Sequence, residues 1–203
     1  ASIVGMKAEI GVLEAKLAEL KAAGELEDTI VFYYSDHGGA LARSKRFVYD
    51  TGTKIPFMVH VPAQFKHLVP HPMGERTAQM IDLVDLAPTL LYLAGAESPS
   101  HMHGENIFSE NTKNQKEHAY LYRGRMDVRI DLVRALRGKR FKYIRNYMPH
   151  RPNGQHLEYL WKAASVRSWQ EECQQGQCNK TQQRFWQARP AEELYDARAD
   201  KWE

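Results

Sequence analysis

A six-residue run of β-branched and aromatic side chains constrains this chain most. Thr29-Ile30-Val31-Phe32-Tyr33-Tyr34 has no polar alternation. Such a run reads as the central strand of a covered, parallel-type sheet rather than a strand with one face in water. The segment before it is helical. Ile10, Leu13, Leu17 and Leu20 recur at helical spacing among Glu, Lys and Ala, and Gly24 closes the pattern as a C′ residue. An amphipathic helix, a short connection and a buried strand make half of a βαβ unit, which places the chain in the α/β class.

The strand ends in Ser35-Asp36-His37-Gly38-Gly39. Polar residues and glycines at the end of a buried strand are where α/β proteins build their sites. A cationic loop, Arg43-Ser44-Lys45-Arg46, leads to a second strand, Pro56-Phe57-Met58-Val59-His60-Val61, stopped by Pro62. Residues 63–78 read as a surface excursion. Asp85 then suits the N-cap of a helix whose buried side is Leu90, Leu91 and Leu93, with Gly95 as its end. Residues 97–117 are polar and read as a linker, so a boundary is expected near residue 112. Residues 1–112 form the α/β part, and 113–203 a small antiparallel α+β subdomain. In the latter, strands are expected over 118–122, 132–136 and 141–147, with Gly138-Lys139 as a hairpin turn. Leu157, Leu160 and Trp161 fall at helical spacing, residues 168–187 are Gln-rich and helical or loose, and Glu193-Leu194-Tyr195-Asp196 makes a last strand.

Composition excludes some functions. A net charge of +3 is too mild to imply nucleic acid as a partner. No apolar run is long enough to span a bilayer, and the first residues carry no signal-peptide pattern. The cations are clustered, however: between Arg123 and Arg151 ten Arg and Lys face two Asp, which marks a local basic face. Cys173 and Cys178 are too few for a structural zinc site, and the spacing leaves a disulfide and two free thiols equally open.

The chemistry concentrates at Asp36, His37 and Lys45. On a sharp turn, adjacent side chains can converge on one ion, and Gly38 and Gly39 clear its approach. Asp offers a hard oxygen and His a nitrogen. Lys45, eight residues on, adds a fixed cation. A divalent metal beside a lysine suits a tetrahedral oxyanion, because both draw charge from its non-bridging oxygens during in-line displacement. Taken alone, an Asp-His-Gly turn is more often plain structure than a ligand site, and a loop lysine is usually only solvated. The strand end and the cationic loop together raise the odds.

Four segments carry a family resemblance. Residues 29–38, ending in Ser35-Asp36-His37-Gly38, resemble the second metal-binding motif of the sulfatases, within the alkaline phosphatase superfamily. Lys45-Arg46-Phe47-Val48-Tyr49-Asp50-Thr51-Gly52-Thr53-Lys54-Ile55-Pro56 is similar to the family's lysine segment. Asp82-Leu83-Val84-Asp85-Leu86-Ala87-Pro88-Thr89-Leu90-Leu91, followed by Leu93-Ala94-Gly95, resembles its Asp-Leu-x-Pro-Thr helix. Glu193-Leu194-Tyr195-Asp196, with Asp200, resembles its closing stretch. They occur in family order.

The resemblance implies the C-terminal part of an alkaline-phosphatase-like α/β/α sandwich plus a small antiparallel sheet with a helix. It implies Asp36 and His37 as metal ligands, usually for calcium, and Lys45 as the catalytic contact to sulfate. His37 offers nitrogen where many sulfatases have Asn, so manganese and zinc stay open beside calcium. The family nucleophile is a formylglycine made from a Cys/Ser-x-Pro/Ala-x-Arg motif. Neither Cys173 nor Cys178 starts such a motif, and no Ser does. The nucleophile and the other metal carboxylates are expected upstream, so the chain reads as a fragment that does not turn over alone. A periplasmic, secreted or lysosomal-type compartment is expected for the parent protein.

The implied substrate is a sulfated small molecule or glycan. Arg123 and Arg125, on a Gly-containing loop, are its candidate contacts. The other cations are more simply the solvated face of an antiparallel sheet, alternating with Phe141, Tyr143 and Tyr147. His101 and His103 are more simply loop histidines than a metal pair. Two further functions compete with sulfate hydrolysis. One is phosphodiester or phosphonate-ester hydrolysis within the superfamily. The other is a non-catalytic module binding anionic glycans through the Arg-rich sheet.

Overall fold

The structure, a computed structural model, describes residues 3–109, 116–125 and 128–203, with side chains from residue 10 onward. The chain divides into two compact units. The first contains residues 1–34 and 56–117, the second 35–55 and 118–203. The boundary expected near residue 112 falls outside the described residues. Among the described residues no helix is long and apolar enough to cross a membrane.

In the first unit, α1 runs over Ile3–Ala23. It ends where Gly24, at φ +74°, turns left-handed. The amide of Gly24 then bonds the carbonyl of Lys21 and that of Glu25 the carbonyl of Leu20, a paired closure that only a residue tolerant of positive φ makes cheaply. Strand β1, Val31–Tyr34, pairs with β2, Phe57–His60, in the register Val31↔His60 to Tyr34↔Phe57. The pairing is antiparallel, where a parallel-type neighbour was expected, because residues 35–56 return the chain beside its own strand. Rings of Phe32 and Tyr34 meet Phe57 across the ladder at 6.2 and 5.9 Å.

Helix α3, Leu86–Leu93, follows a 3₁₀ turn at Leu83–Asp85 and ends at Gly95, φ +71°. (Helix α2, Asp50–Thr53, lies in the second unit.) The buried side of α3 differs from expectation: Leu90 is exposed, whereas Asp85 and Thr89 are buried. These two polar residues hold the segment expected to be a free linker. Asp85 accepts from the amides of Asp82 and Glu105, both at 2.9 Å, and from Lys116 at 2.6 Å. Thr89 Oγ1 accepts from the amide of Ile107 at 3.1 Å, and Ile107 and Phe108 are buried. Residues 104–108 are therefore anchored structure.

The second unit is a four-stranded antiparallel sheet in the order β3-β4-β5-β6. Its strands are β3, His118–Arg123; β4, Val133–Gly138; β5, Phe141–Asn146; and β6, Glu192–Asp196. The β4–β5 turn is Lys139-Arg140, one residue later than expected. One face is covered by α4, Glu158–Trp161, and α5, Ala164–Gln174, with the Trp169, Phe185 and Trp186 rings. Helix α2, Asp50–Thr53, closes the 35–55 segment, and α6 spans Lys180–Gln183. Phe47, Val48 and Tyr49 enter the same core as Val133, Ala135, Ile144, Leu157 and Leu160. Those three residues tie the Lys45 loop to the sheet. Cys173 and Cys178 form a disulfide at the end of α5.

The outward rhythm of β5 is the reverse of that expected. Phe141 and Tyr143 face solvent, while Lys142 is 0% exposed. A lysine is buried only where partners compensate it. Here Nζ contacts Asp50 Oδ1 at 2.5 Å, Glu203 Oε1 at 2.8 Å and the Val48 carbonyl at 3.0 Å.

Candidate functional site

The site lies in the second unit, on the segment that follows β1. Ser35 Oγ donates to the His37 carbonyl at 3.1 Å, which tightens the turn. Asp36 Oδ2 and His37 Nε2 stand 3.2 Å apart, with 78% of the Asp36 side chain exposed. The other imidazole nitrogen, Nδ1, lies 2.8 Å from the Gly38 carbonyl oxygen. A carbonyl can only accept, so Nδ1 carries a proton. Nε2 therefore faces a carboxylate oxygen either as an imidazolium N–H or with a cation shared between them. The second arrangement is the usual one for a metal-ligating histidine, whose far nitrogen donates to a carbonyl. The pair thus fits two ligands of a hard divalent cation. Among the described residues no group of three or more Asp, Glu, His or Cys completes a coordination shell.

The loop returns Lys45 to this turn. The amide of Lys45 donates to the Gly39 carbonyl at 3.0 Å, and the amide of Gly38 donates to the Gly52 carbonyl at 3.0 Å. Ser44 Oγ bonds the Thr51 carbonyl at 2.7 Å. Arg43 and Arg46 flank the pair Ser44-Lys45 with φ of +62° and +72°. Left-handed backbone is costly for residues with a Cβ, and it persists where surrounding contacts over-determine it. Arg43 lies 4.3 Å over the Tyr49 ring and bonds the main-chain carbonyl of Glu203. The Lys45 ammonium stands 5.5 Å over the ring of Tyr159 from α4. Sequence reasoning missed Tyr159. Its neighbours Leu157, Leu160 and Trp161 announced the helix, but nothing local connects Tyr159 to Lys45.

Gly38 is where the loop is most tightly closed. A Cβ there would sit 2.0 Å from the Thr51 carbonyl oxygen and 2.3 Å from Ser44 Oγ. Backbone cannot escape by changing rotamer, so Gly38→Ala is expected to cost about 1–3 kcal/mol, the range for overpacking. It should also pull the Lys45 loop away from the Asp36 turn. Urea unfolding measures the cost, and an unchanged midpoint would refute the close packing.

The two arginines part company. Arg125 is exposed after β3. Arg123, at the end of β3, is buried: it is 3.2 Å from Asp131 and 4.5 Å over the Phe47 ring. Burial lowers its pKa to about 10, against the opposing charge of Asp131. His101 and His103 are exposed in the first unit.

Residues 12–96 match the sulfatase family. An ulvan-active sulfatase of Formosa agariphila is 34% identical over 190 residues, covering 93% of this chain and 31% of that protein. An N-acetylglucosamine-6-O-sulfatase of Bacteroides thetaiotaomicron is 32% identical over 111 residues, covering 53% of this chain and 18% of that protein. Among solved structures, a 2-O GAG sulfatase superposes with a TM-score of 0.56 at 22% identity, covering 90% of this chain and 33% of the other. The chain thus spans about a third of the length of the sulfatases it matches most fully. The motif order, the family match and the shared fold agree: the chain belongs to the sulfatase family and corresponds to the C-terminal part of its alkaline-phosphatase-like fold.

Proposed function

We propose that this chain supplies one half of the active site of an enzyme that hydrolyses sulfate esters or sulfamates of a carbohydrate. Asp36 and His37 hold a divalent cation, Ca²⁺ first among the candidates, and Lys45 and Arg125 take the sulfate. Arg123 works from beneath, fixing the strand end from which Arg125 projects. The cation, when bound, withdraws charge from the non-bridging sulfate oxygens. Gly38 and Gly52 keep the loop closed, so that the Lys45 amide stays within two residues of His37 along the Gly39 carbonyl. The Lys45 ammonium meets the anion and neutralises charge that builds as the ester bond breaks. The nucleophile of the parent protein, expected to be a formylglycine, is outside this sequence, and no step is assigned to it.

The observation that carries the reading is the 3.2 Å approach of His37 Nε2 to Asp36 Oδ2 while Nδ1 is committed to Gly38. A nitrogen and a carboxylate oxygen at that separation can both turn a lone pair to one shared cation. The matched sulfatases favour a sulfated sugar over a phosphodiester. One of them is named for N-acetylglucosamine 6-O-sulfate and another for 2-O GAG sulfate.

Calcium titration of the chain, followed by the backbone amide signals of Gly38 and Gly39, which all three proteins retain, tests the metal assignment without any turnover. Saturable shifts are expected in the parent sequence, with both Asp36→Ala and His37→Ala abolishing them. Equal responses from all three proteins would remove Asp36 and His37 from the metal site.

A further inference from the structure

The four-stranded sheet buries one face in the core of the second unit, where Phe47, Val48 and Tyr49 of the Lys45 loop join it. Its other face is open. Tyr120 is 80% exposed, Tyr122 79% and Leu194 69%. Pairing across the strands sets Tyr120, Leu136, Tyr143 and Leu194 in one row that crosses the whole sheet. The next row is Tyr122, Arg134, Arg145 and Glu192. Such rows lie about 7 Å apart along the strands, and four strands extend each row over about 14 Å. The alternation expected from sequence would separate cations from aromatics. The structure brings both to this face, because Lys142 turns inward while Phe141 and Tyr143 turn outward. Rings and guanidiniums stand together there: Arg134 lies 5.8 Å over Tyr122, and Arg145 lies 5.8 Å over Tyr147.

The face carries more positive than negative groups. Glu192 is held by Arg145 and by the Tyr143 hydroxyl at 2.7 Å, and Asp196 by Arg140 at 2.7 Å. Arg134 donates to the Val133 carbonyl at 2.9 Å and has no ion pair among the described residues. Exposed Lys139, in the β4–β5 turn, has none either. A continuous apolar row on a surface marks a place where something binds. The charges beside it choose the occupant. A protein segment laid over the row would take the Arg134 guanidinium out of water with no carboxylate of this chain beside it, which is costly. A sulfated sugar chain brings the missing anion, and its pyranose rings bring apolar C–H faces for the tyrosines. Tyrosine suits that contact, since it offers a large rigid apolar surface with a hydroxyl at its tip. The planar fork of arginine matches a pair of oxyanion oxygens.

We propose that the outer face of this sheet is a second carbohydrate surface. It holds a sulfated polysaccharide with sugar rings on Tyr120 and Tyr122 and a sulfate on Arg134, separately from the residues that take the sulfate to be cleaved. The inference rests on the reading of the substrate as a sulfated carbohydrate and deepens it: the substrate is a polymer, longer than the cleaved unit. A chain held at two places has its next sulfate supplied at high effective concentration.

Titration of the chain with heparin in calcium-free buffer, followed by amide and tyrosine-ring NMR signals, tests this. Saturable shifts are expected at Tyr120, Tyr122 and Arg134. The double variant Tyr120→Ser with Tyr122→Ser, and separately Arg134→Ser, should each bind about tenfold more weakly, the size of one lost charge-assisted or stacking contact. All three side chains are exposed, so the variants should fold. Asp36→Ala should bind heparin as the parent sequence does, which lets this surface and the metal site fail independently. Unsulfated heparosan and polyglutamate should bind far less. Equal binding of either polymer, shifts confined to the Gly38 turn, or undiminished affinity in the variants would each overturn the proposal. In the parent enzyme, tetranitromethane should nitrate Tyr120 and Tyr122, and heparin should protect both. Tyrosines that resist nitration without heparin would give the face to a covering protein surface and overturn it as well.

Discussion

Lys142→Met is expected to lower the unfolding free energy by about 3–5 kcal/mol, the range for breaking a buried ion pair from one side. The side chain volume is nearly kept, so the loss comes from charge. Asp50 does not become an orphan, because Arg137 grips both of its oxygens at 3.0 and 2.9 Å. Glu203 does: its carboxylate is 1% exposed, and apart from Lys142 it keeps the Asp50 amide at 2.7 Å. The double variant Lys142→Met with Glu203→Gln removes that stranded charge and should recover part of the loss, which a double-mutant cycle in urea measures. Additive effects would show that Lys142 and Glu203 do not act as a pair.

The same pair has a pH signature. Burial works against ionisation of Asp50, but hydrogen bonds from Arg137 and Lys142 outweigh it and hold the carboxyl well below the usual carboxylate range. Its contribution is present above the unfolded pKa, near 4, and is lost as pH falls through the folded value. Glu203 goes the other way, since burial pushes it up against the pull of Lys142. A raised carboxyl costs stability as pH rises through it. Without Lys142 that rise grows, so the deficit of Lys142→Met should be larger at neutral pH than in mild acid. A deficit independent of pH would assign the loss to packing.

What the sequence revealed depended on how local its cause was. Gly24 and Gly95 were readable as helix ends because the left-handed closure involves only the last turn. The Asp36-His37 turn was readable because the two residues are neighbours and the glycines follow directly. The antiparallel strands were readable from their residues, but the facing of β5 was not. A charged Lys142 normally points to water, and only Asp50 and Glu203, both distant in sequence, reverse this. Arg123 misled for the same reason: its loop looked exposed, and Asp131 with Arg189 turn the picture inward. Residues 104–108 looked like part of a linker because the stretch 97–117 around them is mostly polar. Their backbone amides find Asp85 and Thr89, which a hydrophobic-periodicity reading of the helix treats as surface. Side chains that bond across long sequence distances leave no local pattern to read.

In the parent enzyme, Lys45→Ala is expected to lower kcat for a sulfated sugar by about 10²–10³, the effect of removing one preorganised donor from developing charge. The size follows from how the lysine is held. Its backbone is fixed at both flanks by left-handed arginines and by the Gly39 carbonyl, and its ammonium rests 5.5 Å over Tyr159. Little reorganisation is then needed as the leaving oxygen gains charge. An ammonium that only bound the ground-state sulfate would act on KM, because uniform binding does not raise kcat. Lys45→Arg should restore charge without activity, since a planar fork cannot occupy the place of a point charge on that ring. Calcium binding should survive both changes, because neither Asp36 nor His37 is touched. A loss confined to KM would reduce Lys45 to a binding residue, and unchanged kinetics would remove it from the site.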